Sequence, residues 1–349
     1  VTDPHASPAP GARPPGLGPH CVGQRVVVRR VLPGRSGPTG GPAMTDVLGT
    51  MTDWTPPTTT VLPAGGEPVV IALADIVSGK PVPPRPSVRL RVTAEQAERR
   101  ALAGWPPVVA EPLGSWVLRA ADGFSARANS VLAVGPPGLP VPAALERVVD
   151  FAAAHRISAW AQVVVGSAEA AAVEAAGWVR ARPGEADTCF QVASVALASR
   201  ALRALPVPGA GGPSSPGWLV DTAPVASPGW LAGDARARAT PEAARAVLEG
   251  PDEVAFVSVA AADAPDTVVA KGRVSQTEDW AGVTDVWVDP GRRRQGLSLL
   301  VMARLLGWAA ERGATTTYLQ TRGDNPAALA LYDRLGFVTH HEYRYLAAP

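Results

Sequence analysis

Val288-Asp289-Pro290-Gly291-Arg292-Arg293-Arg294-Gln295-Gly296-Leu297-Ser298 joins two runs of different texture. Before it, Gly282–Val288 is β-prone. After it, Leu297–Arg312 spaces Leu299, Met302, Leu306 and Ala309 along one helix face. The spacing predicts strand, tight turn, helix. A helix starting here presents unpaired backbone N–H groups and the positive end of its dipole to the turn. Gly296 lets the backbone approach a ligand closely, and three adjacent arginines add donors. Two readings fit: a diphosphate-binding turn and a solvated basic turn. The glycine spacing is neither GxGxxG nor GxxxxGK[ST], so an ordinary dinucleotide fold or P-loop is not indicated.

A second stretch, Asn325-Pro326-Ala327-Ala328-Leu329-Ala330-Leu331-Tyr332-Asp333-Arg334-Leu335-Gly336-Phe337, reads as a capped helix. Asn is a strong N-cap, Pro at the first helical position is pre-set for the helix, and Gly336 stops it. Asn325 and Tyr332 lie on nearly the same face. Between the two stretches stand one helix and a strand, Thr316–Gln320.

Together these stretches resemble the GNAT superfamily of acetyl-CoA-dependent N-acetyltransferases. Arg293-x-x-Gly296-x-Ser298 matches the family's phosphate-loop pattern [Q/R]-x-x-G-x-[G/A] in all but its last position, where Ser replaces Gly or Ala. Asn325, Leu331-Tyr332 and Gly336-Phe337 match its later signature. The resemblance covers about 218–349 and implies an α/β domain with a mixed sheet. It implies that the pantetheine of acetyl-CoA pairs with the main chain of Val286, Trp287 and Val288. The diphosphate would sit on Arg293, Arg294, Gln295, Gly296, Leu297 and Ser298, with Asn325 on the pantetheine arm or a water. Tyr332 lies where the family's general acid sits, and a phenol of pKa about 10 can protonate a departing thiolate. For the base the family often uses a carboxylate on the strand that holds Asp285; a solvated strand residue is the alternative. Glu278 and Asp279 are remoter candidates. His340 and His341 read as surface or packing residues, and Trp280 and Trp287 as acceptor-pocket or core residues.

The upstream half echoes the downstream one. Phe151…His155, Trp160-Ala-Gln162 and Ala175-Ala-Gly177-Trp178 follow Trp308…Arg312, Tyr318-Leu-Gln320 and Arg334-Leu-Gly336-Phe337. In this echo Asn325 corresponds to Gly166 and Tyr332 to Val173. Gly135–Pro140 replaces the arginine-rich turn. Residues 83–204 thus read as a degenerate GNAT-like lobe, with a capping box at Thr93 and Gln96 opening its first helix. Residues 205–217 read as a linker and 218–349 as the catalytic domain. Short β-prone runs in 21–82 suggest a small all-β barrel of SH3-like size, behind a disordered tail at 1–20. The layout resembles actinobacterial GNAT proteins and, more distantly, the two-lobed mycothiol synthases. The expected fold class is α/β, a tandem GNAT fold after a small barrel. One strand is expected to run from Phe190 to Leu197.

Composition fits this division. The 35 glycines and 37 prolines among 349 residues mark segment edges, while 46% hydrophobic residues supply cores. Lys80 and Lys271 are the only lysines, and a net charge of +1 gives no sign of a nucleic-acid groove or an anionic membrane partner. Cys21 and Cys189 form no CxxC, so no zinc site or disulfide framework is expected. With neither an apolar run of ~18 residues nor a signal peptide, a cytoplasmic location is expected. The leading functional expectation is transfer of an acetyl group from acetyl-CoA to a small-molecule or protein amine by direct attack. The alternatives are a non-catalytic acyl-CoA-binding or regulatory module, and a protein acetylase targeted through the barrel, whose Arg25, Arg29 and Arg30 form its basic cluster.

Overall fold

The computed structural model describes residues 16–37, 40–63, 66–82, 88–206 and 217–349. Residues 1–15 of the expected tail and most of the expected linker 205–217 lie outside them. The chain forms two compact units, Val1–Pro86 and Ser87–Pro349.

The first unit holds β1 (Arg25–Ser36), β2 (Pro42–Thr55), β3 (Thr58–Pro63), β4 (Val69–Ala72) and β5 (Ile76–Pro81). They form one antiparallel sheet in the order β4-β3-β2-β1-β5. Period-2 alternation buries Val26 and Val28, which join Cys21, Met51, Val61 and Ile71 in the core. Arg29 points outward and pairs with Asp46 across β1 and β2 at 2.8 Å. At Gly49 a Cβ would fall 2.3 Å from the Leu62 carbonyl oxygen, so only glycine lets β3 close on β2.

The second unit opens with α1 (Ala94–Gly104), whose Thr93–Gln96 capping box is formed. Next come β6 (Val109–Leu113), β7 (Trp116–Ala120), β8 (Val131–Leu132), α2 (Val141–Ala154), β9 (Trp160–Val164), α3 (Ala168–Ala175), β10 (Val179–Arg180), β11 (Thr188–Ser194) and α4 (Val195–Arg203). Beyond the undescribed segment lie β12 (Trp218–Ala223), α5 (Pro228–Ala232), α6 (Ala235–Ala239), α7 (Pro241–Glu249), β13 (Glu253–Ala261), β14 (Ala264–Thr277) and β15 (Trp280–Val288). The last elements are α8 (Leu297–Glu311), β16 (Thr316–Arg322), α9 (Pro326–Arg334) and β17 (Val338–Ala347).

One sheet runs β12-β13-β14-β15-β16-β11-β17-β9-β8-β7-β6. Its two parallel pairs, β8–β9 and β15–β16, are each bridged by a helix, α2 and α8. They mark the two related lobes. The lobes exchange strands: β11 pairs with β16, and β17 fills the place between β9 and β11. Helix α4 follows β11 into the later half, burying Val195, Ala198 and Leu202 in one core with α8. Helices α4, α8 and α9 share that sheet face. Helices α5 to α7 and the end of α1 lie on the other, around Trp105, Trp230 and Phe256.

The expected strand Phe190–Leu197 is corrected at its end. It stops at Ser194, whose hydroxyl accepts from the Leu197 N–H and starts α4. The apolar spacing Val195, Ala198, Leu202 is helical, and the preceding β-prone run hid it. Helices α5 and α6 have five residues each, too short to show a period.

Arg273 on β14 is fully buried and stitches the layers together. It donates to the carbonyls of Leu248 and Gly104, at the C-termini of α7 and α1, at 2.7 and 3.0 Å. Burial lowers its pKa to about 10, so it stays charged at neutral pH. Arg273→Met is expected to cost about 2–4 kcal/mol, because the Leu248 carbonyl is left unpaired in the interior. A urea unfolding midpoint falling at constant m-value is the measurement; an unchanged midpoint would contradict this role.

Candidate functional site

Strands β15 and β16 pair only from Trp280 with Thr316 to Val283 with Leu319. Beyond that point they part, and β16 goes on pairing with β11 as far as Arg322. The cause lies on β15. Thr284 faces Arg273 and Trp287 faces Lys271, so Asp285 and Val286 together oppose Gly272. This is a β-bulge, with Asp285 in the left-handed region at φ 52°. Past it, the β16-facing edge of Val286 to Val288 has no strand partner among the described residues.

The parted edge opens onto a cavity of about 780 Å³. Val286 and Val288 form one wall, the turn from Arg293 to Ser298 another, and Leu331 and Tyr332 of α9 a third. Asp289 shapes the turn by accepting the Gly291 N–H at 2.7 Å. Arg294 and Gly296 both take left-handed conformations, at φ 66° and 77°. Gly296 is the N-cap of α8 and gives no side-chain cap, so the first-turn N–H groups meet the cavity edge without one. Of the helices of eight or more residues, α1, α3, α4 and α9 are capped by a side chain, while α2 and α7, like α8, are not. Ser298 fits in the loop and lines the cavity.

Tyr332 is 8% exposed, packs against Phe337 and lines the cavity. Burial pushes its pKa up to about 12. Asn325 does not line the cavity; its side-chain oxygen accepts from the Ala328 N–H at 3.2 Å and caps α9. Trp287 is half-buried and also off the lining. Trp280 belongs to a core with Phe190 and Tyr318. Glu278 pairs with Arg100, and Asp279 accepts from Thr315. His341 bonds Glu98 and His340 bonds the Val92 carbonyl, both as packed residues.

Asp285 sits on the sheet face opposite α8. Arg236 of α6 bridges it to Asp234, at 3.1 Å and 2.7 Å. Its second oxygen, Oδ2, is buried without a hydrogen-bond partner among the described residues. Burial works to lower the Arg236 pKa, but its hydrogen bond to Asp234 and the Asp285 charge outweigh it and the pKa is raised. Lys271, opposite Trp287, is 4% exposed and donates to the Trp230 carbonyl at 2.8 Å. Burial lowers its pKa against the pull of Asp285 and Asp234. Asp234, Arg236 and Lys271 escape sequence reasoning. The one local signal is the Asp234-x-Arg236 spacing, and it says nothing of Asp285 on another element.

A parallel pair that parts at a bulge, above an uncapped helix N-terminus, defines a lobe of the GNAT acetyltransferase class. Residues 194–346 match the family model described as "Probable histone acetyltransferase Rv0428c C-terminal", and residues 20–80 match "Rv0428c N-terminal Sm-like domain". The chain is thus similar to both parts described for the Rv0428c family, each over its own stretch. The front domain, expected as SH3-like, is thus Sm-like. Among curated relatives, the chain is 41% identical over 59 residues to the [Ribosomal protein bS18]-alanine N-acetyltransferase of Escherichia coli (strain K12), covering 17% of this chain and 40% of that one. It is 32% identical over 81 residues to "Uncharacterized N-acetyltransferase YobR" of Bacillus subtilis (strain 168), covering 23% and 33%. The chain therefore spans well under half the length of these relatives. Similar solved structures include a GCN5-related N-acetyltransferase from Kribbella flavida, at 22% identity and TM-score 0.49, covering 76% of this chain and 96% of that one. A tandem GNAT protein from the clavulanic acid biosynthesis pathway has 17% identity and TM-score 0.45, covering 60% and 68%. No helix among the described residues is long and apolar enough to cross a membrane.

The bulge gives a test of its own. Asn tolerates the left-handed region and a β-branched residue does not. Asp285→Asn is expected to unfold in urea within ~1 kcal/mol of the parent, and Asp285→Val to lose about 2 kcal/mol more. Equal stability of the two variants would mean that position 285 does not require φ > 0.

Proposed function

We propose that this protein transfers an acetyl group from acetyl-CoA to an amine at the parted edge of β15 and β16. The observation that carries the reading is the 780 Å³ cavity, in which a bare strand edge, an uncapped helix N-terminus and a buried tyrosine meet. The residues fit the donor. The N–H groups at the start of α8, with Arg293 and Arg294, suit a diphosphate. The unpaired main chain of Val286 to Val288 suits the amide-bearing pantetheine arm, which would lie along it as a further strand does. Bound there, acetyl-CoA supplies an activated acyl carbon and a thiolate leaving group.

The chain's own groups handle the protons. Tyr332 keeps its proton on Oη throughout the neutral range, because burial holds its pKa near 12. It is therefore available to protonate a departing thiolate. Asp285 stands at the bulge beside the gap, lining neither cavity, with one oxygen on Arg236 and Oδ2 buried without a hydrogen-bond partner among the described residues. In this reading Oδ2 takes the proton of the attacking amine, directly or through one water. Asn325, spent on its cap, contributes by fixing α9 and hence Tyr332.

The test is thiol release from acetyl-CoA across a panel of amines. Turnover with at least one amine is expected. Tight binding without release from any would leave a non-catalytic acyl-CoA-binding module. Tyr332→Phe should lower kcat on the order of 100-fold with little change in donor affinity. Asp285→Asn should lower kcat likewise. Excess CoA should raise the melting temperature of the parent chain, and much less that of Gly296→Val. The rate should show no alkaline loss from Tyr332 below about pH 11, since its proton leaves only near 12.

A further inference from the structure

A second cavity, of about 420 Å³, lies in the same unit. Arg127, Arg180, Arg182, Arg236, Arg322 and Arg344 line it, and Glu185 is its single carboxylate. Its position follows from the sheet. Gln320 and Arg322 of β16 form part of its wall, and both lie beyond Leu319, the last residue paired to β15. Leu319 packs toward α8, so Gln320 faces the opposite side. Arg236, in the same wall, holds Asp285 on the other lip of the gap. The two cavities therefore lie on opposite sides of the sheet, each beside the point where β15 and β16 part.

The arginines are held in place from behind. Asp187, which does not line the cavity, binds Arg180 at 2.6 Å and Arg344 at 2.8 Å. Asp234 holds Arg236, Asp324 holds Arg322, and Glu185 holds Arg182. Such pairing fixes the planar guanidinium forks before any ligand arrives. Arg127 differs. Its guanidinium stacks 4.5 Å over the Trp105 ring and donates to Gln320 Oε1, with no carboxylate partner among the described residues. Gln320 Oε1 also accepts from the Tyr343 hydroxyl at 3.0 Å. Arginine can only donate, which fixes the orientation of the amide and leaves Gln320 Nε2 as a buried donor without a partner. Arg344 also meets Glu174 and Arg322 also meets Glu185, so the wall is rich in donors and Arg127 carries its charge without a carboxylate partner among the described residues.

We propose that this cavity holds the acceptor, and that the acceptor is an amine which also carries a carboxylate or phosphate group. The anion sits on Arg127 and the neighbouring arginines, leaving the amine at the gap between β15 and β16. A lysine-rich segment is disfavoured there, because it would meet an arginine-lined wall. The inference rests on the acetyl transfer proposed above and adds the substrate class.

The experiment compares matched amines with the full chain and acetyl-CoA: alanine against alaninamide, phosphoethanolamine against ethanolamine, and spermidine as a polycation. The charged member of at least one pair is expected to show a kcat/KM about tenfold or more above its neutral partner, as for a charge-assisted hydrogen bond. The pair with the larger ratio tells carboxylate from phosphate. Arg127→Gln should erase the preference through KM with kcat held, Arg127→Lys should restore part of it, and the CoA-induced melting shift should be unchanged in both. Equal use of neutral amines, better use of spermidine, or a preference that survives Arg127→Gln overturns the inference and leaves acetyl transfer standing. No turnover with any amine overturns both.

Discussion

The seat of β17 is the constraint on which the second unit depends. This strand belongs by chain order to the later lobe, yet it pairs with β9 of the earlier lobe on one side and with β11 on the other. Behind it a buried chain of hydrogen bonds crosses the seam. Arg119 of β7 donates to Gln162 of β9, Gln162 donates to Glu98 of α1, and Glu98 meets His341 of β17. Groups so deeply buried are tolerable only when each finds its partner. The chain therefore ties α1, β7, β9 and β17 into one arrangement, and neither lobe completes its sheet without strands that the other half supplies.

That shared sheet positions the site. With β11 paired along the full length of β16, the free edge left by the parting strands falls on β15 and opens at the bulge. The left-handed Asp285 does two things at once. It turns β15 away from β16, and it carries a carboxylate to the face opposite α8. One backbone irregularity thus lies between the cavity at the start of α8 and the arginine-lined cavity near the opposite face. The front sheet, Sm-like by family, is a unit of its own with its own core.

Much of this was legible in the residues. The turn from Arg293 to Ser298, the glycine before α8 and the capped helix ending at Gly336 are local devices, and local chemistry specifies them. The echo between the halves was readable too, since Gly177 and Gly336 both end helices, at φ 88° and 80°. Asn325 was legible as a cap, and its side-chain oxygen serves as one. What stayed hidden is non-local. Nothing near Ser194 tells that β11 joins the other lobe, and nothing near Asp285 announces Arg236 from α6. The cluster of arginines around the second cavity comes from β10, α6, β16, β17 and two loops, so no window of sequence contains it.

The strand exchange also has a consequence during synthesis. A ribosome makes the earlier lobe's strands long before residues 338–347 emerge. Through that interval β9 and β11 each carry an open edge with unmet N–H and C=O groups, the kind of surface that recruits stray strands. The sheet therefore stays incomplete in its middle until β17, the last strand, appears. Translation that halts shortly before Val338 would release a product with a slot in the middle of its sheet, marked for quality control by that exposed edge.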